Sequence, residues 1–157
     1  MAALSDYLES GLLNYVFRGS SFPMPENICI ALTSGVPRDS DTGITIPELS
    51  GIGTNYVRIS LGDPTELIVD DITRGSQKWS YMADDNEAGS GIIRNSGQII
   101  FNTALTDWGW VSGIAIVDHP TIGTGNLLMH AELDNPRIIY TGDNVKFDVG
   151  TLEISFK

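Results

Sequence analysis

Apolar and polar residues alternate through the last third of the chain, residues 98–157, in short runs broken by turn residues. The runs cover 98–102, 111–118, 126–133, 136–141, 144–149 and 151–157. In the final pair, Val145, Phe147 and Val149 alternate with Lys146 and Asp148, and Leu152, Ile154 and Phe156 with Glu153, Ser155 and Lys157. A period of two gives each strand one apolar and one wet face. Gly150-Thr151 sits between those two runs and suits a two-residue type II′ turn, so the pattern predicts a hairpin there. The stretch as a whole predicts an antiparallel sheet against which the earlier segments pack.

Upstream, the period changes. Within residues 4–18, Leu8, Leu12, Tyr15 and Val16 fall at i, i+4, i+7 and i+8, and Leu13 and Phe17 widen the stripe, which predicts an amphipathic helix. Ser5 or Asp6 suits its cap, Asp6 and Glu9 its positive end, and Arg18 then Gly19 its stop. Either the end of the sheet or a neighbouring subunit must cover that stripe, which makes Leu8, Leu12, Tyr15 and Val16 candidate docking residues. A connector follows, with Pro23 and Pro25, and then a buried strand at 27–33 with Ile28, Ile30 and Leu32 on one side. Residues 34–54 are turn-rich, a length that in a compact domain is usually functional or mobile. A strand resumes at 56–61, with Val57, Ile59 and Leu61 predicted inward and Arg58 outward. Residues 62–97 are irregular, with short apolar runs at 67–69 and 79–82, the second an edge strand showing aromatics to a partner. The expected fold is mainly β: an antiparallel β-sandwich or jelly-roll-like barrel of about eight strands with one N-terminal amphipathic α-helix. The expected organisation is a helical arm over 1–19 and a single β domain over 20–157.

Composition narrows the function. At 157 residues, with 41% hydrophobic positions, the chain can bury one core. No apolar run approaches the roughly 18 residues that span a bilayer, and the N-terminus lacks the pattern of a signal peptide, so a place in the cytoplasm of the cell that makes it, without membrane insertion, is expected. Cys29 is the single cysteine and falls in an apolar run, as a small buried hydrophobe does. Twenty acidic against nine basic residues give a net charge of −11, which would repel nucleic-acid phosphates. Such acidity suits solubility at high copy number, a basic partner or divalent cations.

Catalytic constellations are not evident. No Gly-x-Ser-x-Gly elbow, Walker loop or His-Glu-x-x-His pair occurs, and His119 and His130 are isolated. Neither an enzyme nor a cofactor is expected. Asp39-Ser40-Asp41-Thr42-Gly43 opens like a calcium loop but lacks the glutamate at its twelfth position. Asp70-Asp71 and Asp84-Asp85-Asn86-Glu87 read as solvated turns, so no metal site is predicted. Trp79, Tyr81, Trp108 and Trp110 either fill the end of the β domain or line a face for carbohydrate or protein.

Certain of these runs also form a family pattern. Leu4-Ser5-Asp6-Tyr7-Leu8-Glu9, then Leu12-Leu13-Asn14-Tyr15-Val16-Phe17-Arg18-Gly19, resembles the opening of a family of small phage virion proteins. Asn55-Tyr56-Val57-Arg58, Trp108-Gly109, Gly125-Asn126-Leu127-Leu128 and Thr141-Gly142-Asp143 extend the resemblance over nearly the whole chain. Such proteins are commonly called phage tail fibre proteins, and in size and make-up they are similar to capsid decoration (cement) proteins, which sit as trimers on the head. The resemblance implies a non-enzymatic virion protein, a homotrimer partnered by the major capsid protein or tail proteins. A head decoration role is expected ahead of a tail fibre or tail-tip role in host attachment. The chain departs from the pattern chiefly at 62–90, which is longer and more acidic.

Overall fold

The structure is a computed structural model and describes residues 3–64, 79–80 and 91–155. It is mainly β, its strands paired antiparallel throughout and packed as a sandwich, with a helix α1 (Asp6–Arg18) near the N-terminus. The strands are β1 (Ala3–Leu4), β2 (Cys29–Thr33), β3 (Ile59–Ser60), β4 (Trp79–Ser80), β5 (Ile92–Asn95), β6 (Ile99–Ile100), β7 (Gly109–Val117), β8 (Leu127–Ile139), β9 (Lys146–Phe147) and β10 (Glu153–Ser155). One sheet runs β1-β8-β7-β2-β3, and two smaller ones, β10-β5-β4 and β6-β9, form the opposing layer.

Local chemistry explains the elements. Ser5 is the helix cap: its Oγ accepts from the Leu8 N–H at 3.2 Å and donates to the Leu127 carbonyl at 2.5 Å, so the cap also stitches the helix to β8. Gly19 ends the helix at φ 64°, where a side chain would be strained. The central strand β2 is buried on both faces. Ile30 and Leu32 join Val111, Ile114, Tyr56, Phe101, Trp108 and Ile139 in the main core. Cys29 and Ala31 meet Ile46, Ala115, Val117 and Leu127 in a smaller one. Burying Ile30 or Leu32 stabilises by roughly 1.5–3 kcal/mol each.

The predicted hairpin between the last two runs does not form. Instead β9 pairs with β6 and β10 with β5, so residues 148–152 make a corner between two sheets. A buried side chain causes this. Asn95 donates from Nδ2 to the carbonyls of Gly97 (2.7 Å) and Asp148 (3.0 Å), and its Oδ1 accepts from the Leu152 N–H (2.9 Å). The glycine turn survives, Gly150 at φ 75°, but Asn95 directs the chain after it onto β5.

The register expected at 56–61 is inverted at its start. Tyr56 and Arg58 are buried and Val57 is exposed. A buried arginine is tolerated because its donors are met in full. Nε bonds both Glu48 oxygens (2.9 and 3.1 Å), and Nη2 bonds Glu48 Oε2 (2.7 Å) and the Gly43 carbonyl (2.8 Å). Nη1 bonds the carbonyls of His119 (2.7 Å) and Thr124 (2.9 Å). Tyr56 adds its hydroxyl, donating to Glu48 Oε1 (3.0 Å) and accepting from the Leu32 N–H (2.9 Å). Burial, reinforced by the Glu48 carboxylate, holds the Tyr56 phenol well above its usual pKa. This network clamps the turn-rich 34–54 segment and the β7–β8 loop to the central sheet.

Candidate functional site

The helix divides into a packed half and a bare half. Leu8 and Leu12 are partly buried, and Leu8 approaches Leu128 and Met129 of β8. Gly11 lies against the Phe22 ring, which any side chain at that position would strike, and Phe22 also packs on Tyr7 with ring centres 5.6 Å apart. The connector after the helix therefore folds back along it. Beyond Leu12 the cover ends: Leu13, Tyr15, Val16 and Phe17 are 59–78% exposed. Those four residues fall on one broad side of the helix, away from Asn14 and Arg18, and so wide an exposed apolar face is one that another surface covers. Of the four docking candidates, Leu8 and Leu12 pack against the chain's own sheet, while Tyr15 and Val16 are open.

The aromatic candidates do not share one face. Trp108 lies in the core, edge-on to Tyr56 (5.4 Å, 75°), with its Nε1 donating to Asn55 Oδ1 at 3.1 Å. Trp110, two residues on, is half-exposed opposite Ile138 of β8. Equal parity along a strand would give both rings one direction, but Gly109 at φ 88° turns the backbone between them. Trp79 is partly buried at an apolar pocket of about 320 Å³ shared with Leu8, Ile28, Leu61, Ile93 and Ile154. Tyr81, and the acidic clusters at 70–71 and 84–87, lie outside the described residues.

A second concavity is polar, and the sequence reading missed it. Two strands were expected at 126–133 and 136–141. The structure has one long β8 whose register against β7 jumps from Gly113↔Glu132 to Val111↔Arg137. The extra residues, 133–136, leave the ladder and open a groove of about 780 Å³ between β8, β9 and β10. Its walls carry Glu132, Asp134, Asn135, Arg137, Lys146 and Glu153 over a floor that includes Leu133, Phe147 and Leu152. The signal was Asp134-Asn135-Pro136, a strand breaker inside an alternating run.

Several other titratable groups serve the fold. His130 Nε2 lies 2.9 Å from Asp39 Oδ1, and the Asp39 carbonyl accepts from the Asp6 N–H at 2.8 Å, so this pair braces the helix start. Asp41 accepts from the Arg38 N–H (2.8 Å) and the Thr45 hydroxyl (2.9 Å), which occupies the incomplete calcium-loop motif with turn bonds. Among the described residues no group of three acidic, histidine or cysteine side chains is placed to hold a metal. His119 Nδ1 accepts from the Thr121 N–H (3.1 Å) and contacts the Thr124 hydroxyl (2.6 Å). Burial raises the Cys29 thiol pKa above its usual value, which leaves it unreactive near neutrality. Among the described residues no helix is long and apolar enough to cross a membrane.

A family model described as Podophage GP4 fiber I protein gp80 matches residues 3–155. The chain belongs to that family. It is thus a phage fibre-family protein and, with the family, a virion component. No curated protein sequence matches the chain. The matched span takes in α1, the clamp around Arg58 and the polar groove.

Proposed function

We propose that this chain is a non-enzymatic component of a phage tail fibre or tail tip that acts in host attachment. The bare second half of α1 anchors it, and the β-sandwich is carried outward. The observation that supports this most is the fibre-family match over residues 3–155, read together with four apolar side chains exposed on one short helix. In this reading Leu13, Tyr15, Val16 and Phe17 bury against other virion proteins or against further copies of the chain, with a homotrimer as the assembly. Folding in the host cytoplasm precedes incorporation. Nucleic acid and membrane have no part in the activity, and neither does a cofactor.

A capsid decoration role rests on size and single-domain make-up alone, and the family's description favours the fibre. Immunogold labelling of purified phage with antibody to the sandwich tests the choice. Gold confined to the tail end is the expected result, and gold distributed over the head overturns the fibre reading.

A further inference from the structure

The polar groove between β8, β9 and β10 is walled by strand edges, yet it is built against strand addition. β10 and β9 are edge strands of their sheets, and β8 is paired on one side only beyond His130. An incoming peptide strand would meet Pro136, the extruded 133–136 segment and the charged side chains of Glu132, Arg137 and Glu153. These are the devices by which natural sheets refuse another strand. The groove therefore suits a ligand read by side chains.

Its side chains have the chemistry for one. The side chains of Glu132, Asp134 and Asn135 make no hydrogen bond among the described residues, and Asp134 and Asn135 are exposed. Arg137 is lightly held, donating to the Asn144 carbonyl at 3.3 Å. Acceptors, an amide and a guanidinium thus ring one concavity. On the floor, Phe147 is fixed edge-on to Phe101 (6.5 Å, 67°) and offers its ring beside Leu133 and Leu152. Convergent polar groups over a small apolar floor match the two surfaces of a sugar ring, hydroxyls at the rim and C–H groups on the face. The charge at its walls decides which sugars. Glu132, Asp134 and Glu153 outnumber Arg137 and Lys146, so the lining is net acidic, and within the roughly 8 Å over which charges act in physiological salt it disfavours a polyanion at the groove mouth.

We propose that this groove binds an uncharged oligosaccharide chain, held through Asp134, Asn135 and Arg137 over Phe147. The inference rests on the fibre reading for its biological setting, since attachment to a host surface supplies such a ligand. The test uses the full chain on a printed array of bacterial O-polysaccharides, with uncharged and uronic-acid-containing members side by side. Retention on uncharged members is expected. Asp134→Ala combined with Asn135→Ala should lower apparent affinity at least about tenfold, the scale of one lost hydrogen bond to a charged group. Both side chains are exposed and unbonded, so the variant keeps the wild-type melting temperature, and Leu13→Asp with Phe17→Asp keeps full retention. Retention on acidic members only, on none, or undiminished in the groove variant overturns the proposal. Tail labelling by immunogold is independent of that result, so a groove without sugar leaves the fibre reading standing, and a head location removes the fibre reading whatever the array shows.

Discussion

The clamp at Arg58 is the most informative place to perturb the fold. Its side chain is fully buried against a Glu48 carboxylate that is itself about 95% buried, and its guanidinium makes six hydrogen bonds to four residues. Arg58→Met fills much of the same volume but leaves the Glu48 charge unpaired. It also leaves the carbonyls of Gly43, His119 and Thr124 without their donors. Removing one partner of a buried pair costs about 3–5 kcal/mol. In a protein of this size each kcal/mol moves Tm by about 2–4 °C, so a loss of about 4 kcal/mol lowers Tm by roughly 8–16 °C. Urea unfolding, followed by fluorescence of the buried Trp108, measures the loss directly. Glu48→Met alone should be similarly damaging. The double variant should lose less than the sum by at least about 2 kcal/mol, because the second change removes an orphaned charge. A cost below about 1 kcal/mol for Arg58→Met, or additive single changes, would refute the claim that this pair holds the loops to the sheet.

Four further outcomes follow from the same geometry. Asn95→Ala should destabilise by about 2–3 kcal/mol in urea, since two carbonyls and the Leu152 N–H lose their partner at a buried corner. Gly43→Ala should lower Tm comparably to Arg58→Met, because a Cβ there strikes the Thr124 and Gly125 backbone where the two clamped loops cross. The Tyr56 phenol has a raised pKa in the folded state, so its contribution is intact below the usual tyrosine pKa and is lost as pH rises through the folded value. Absorbance titration near 295 nm should show one tyrosine ionising only as circular dichroism is lost, and its ionising with the others in folded protein would contradict the buried placement. Leu13→Asp with Phe17→Asp should leave Tm within about 2 °C but abolish incorporation into phage particles, scored by immunoblot of purified virions.

The elements legible in the sequence are those whose signals are local. Ser5 and Gly19 announce the ends of α1 by the chemistry of the caps themselves. The apolar run around Cys29 announces a strand buried on both sides. What was not legible depends on partners far along the chain. Arg58 points inward because Glu48 and three distant carbonyls receive it, and no alternation rule contains that information. The last two strands have a faultless hairpin pattern, yet Asn95, more than 50 residues before the turn, hands them to different sheets. Trp108 and Trp110 differ in burial because of one left-handed glycine between them. The polar groove escaped notice for a related reason. A strand breaker reads as a turn unless the partner strand is known to continue past it, as β7 does here.

Copy number is the most direct test of the central claim, that the chain is a fibre component anchored at the phage tail. Quantitative mass spectrometry of purified particles would set peptides of this chain against those of the major capsid protein. The account predicts a small, fixed number of copies per particle, far below the capsid protein. A ratio near parity would mean a protein covering the head, and absence from the particle would contradict a virion role of either kind.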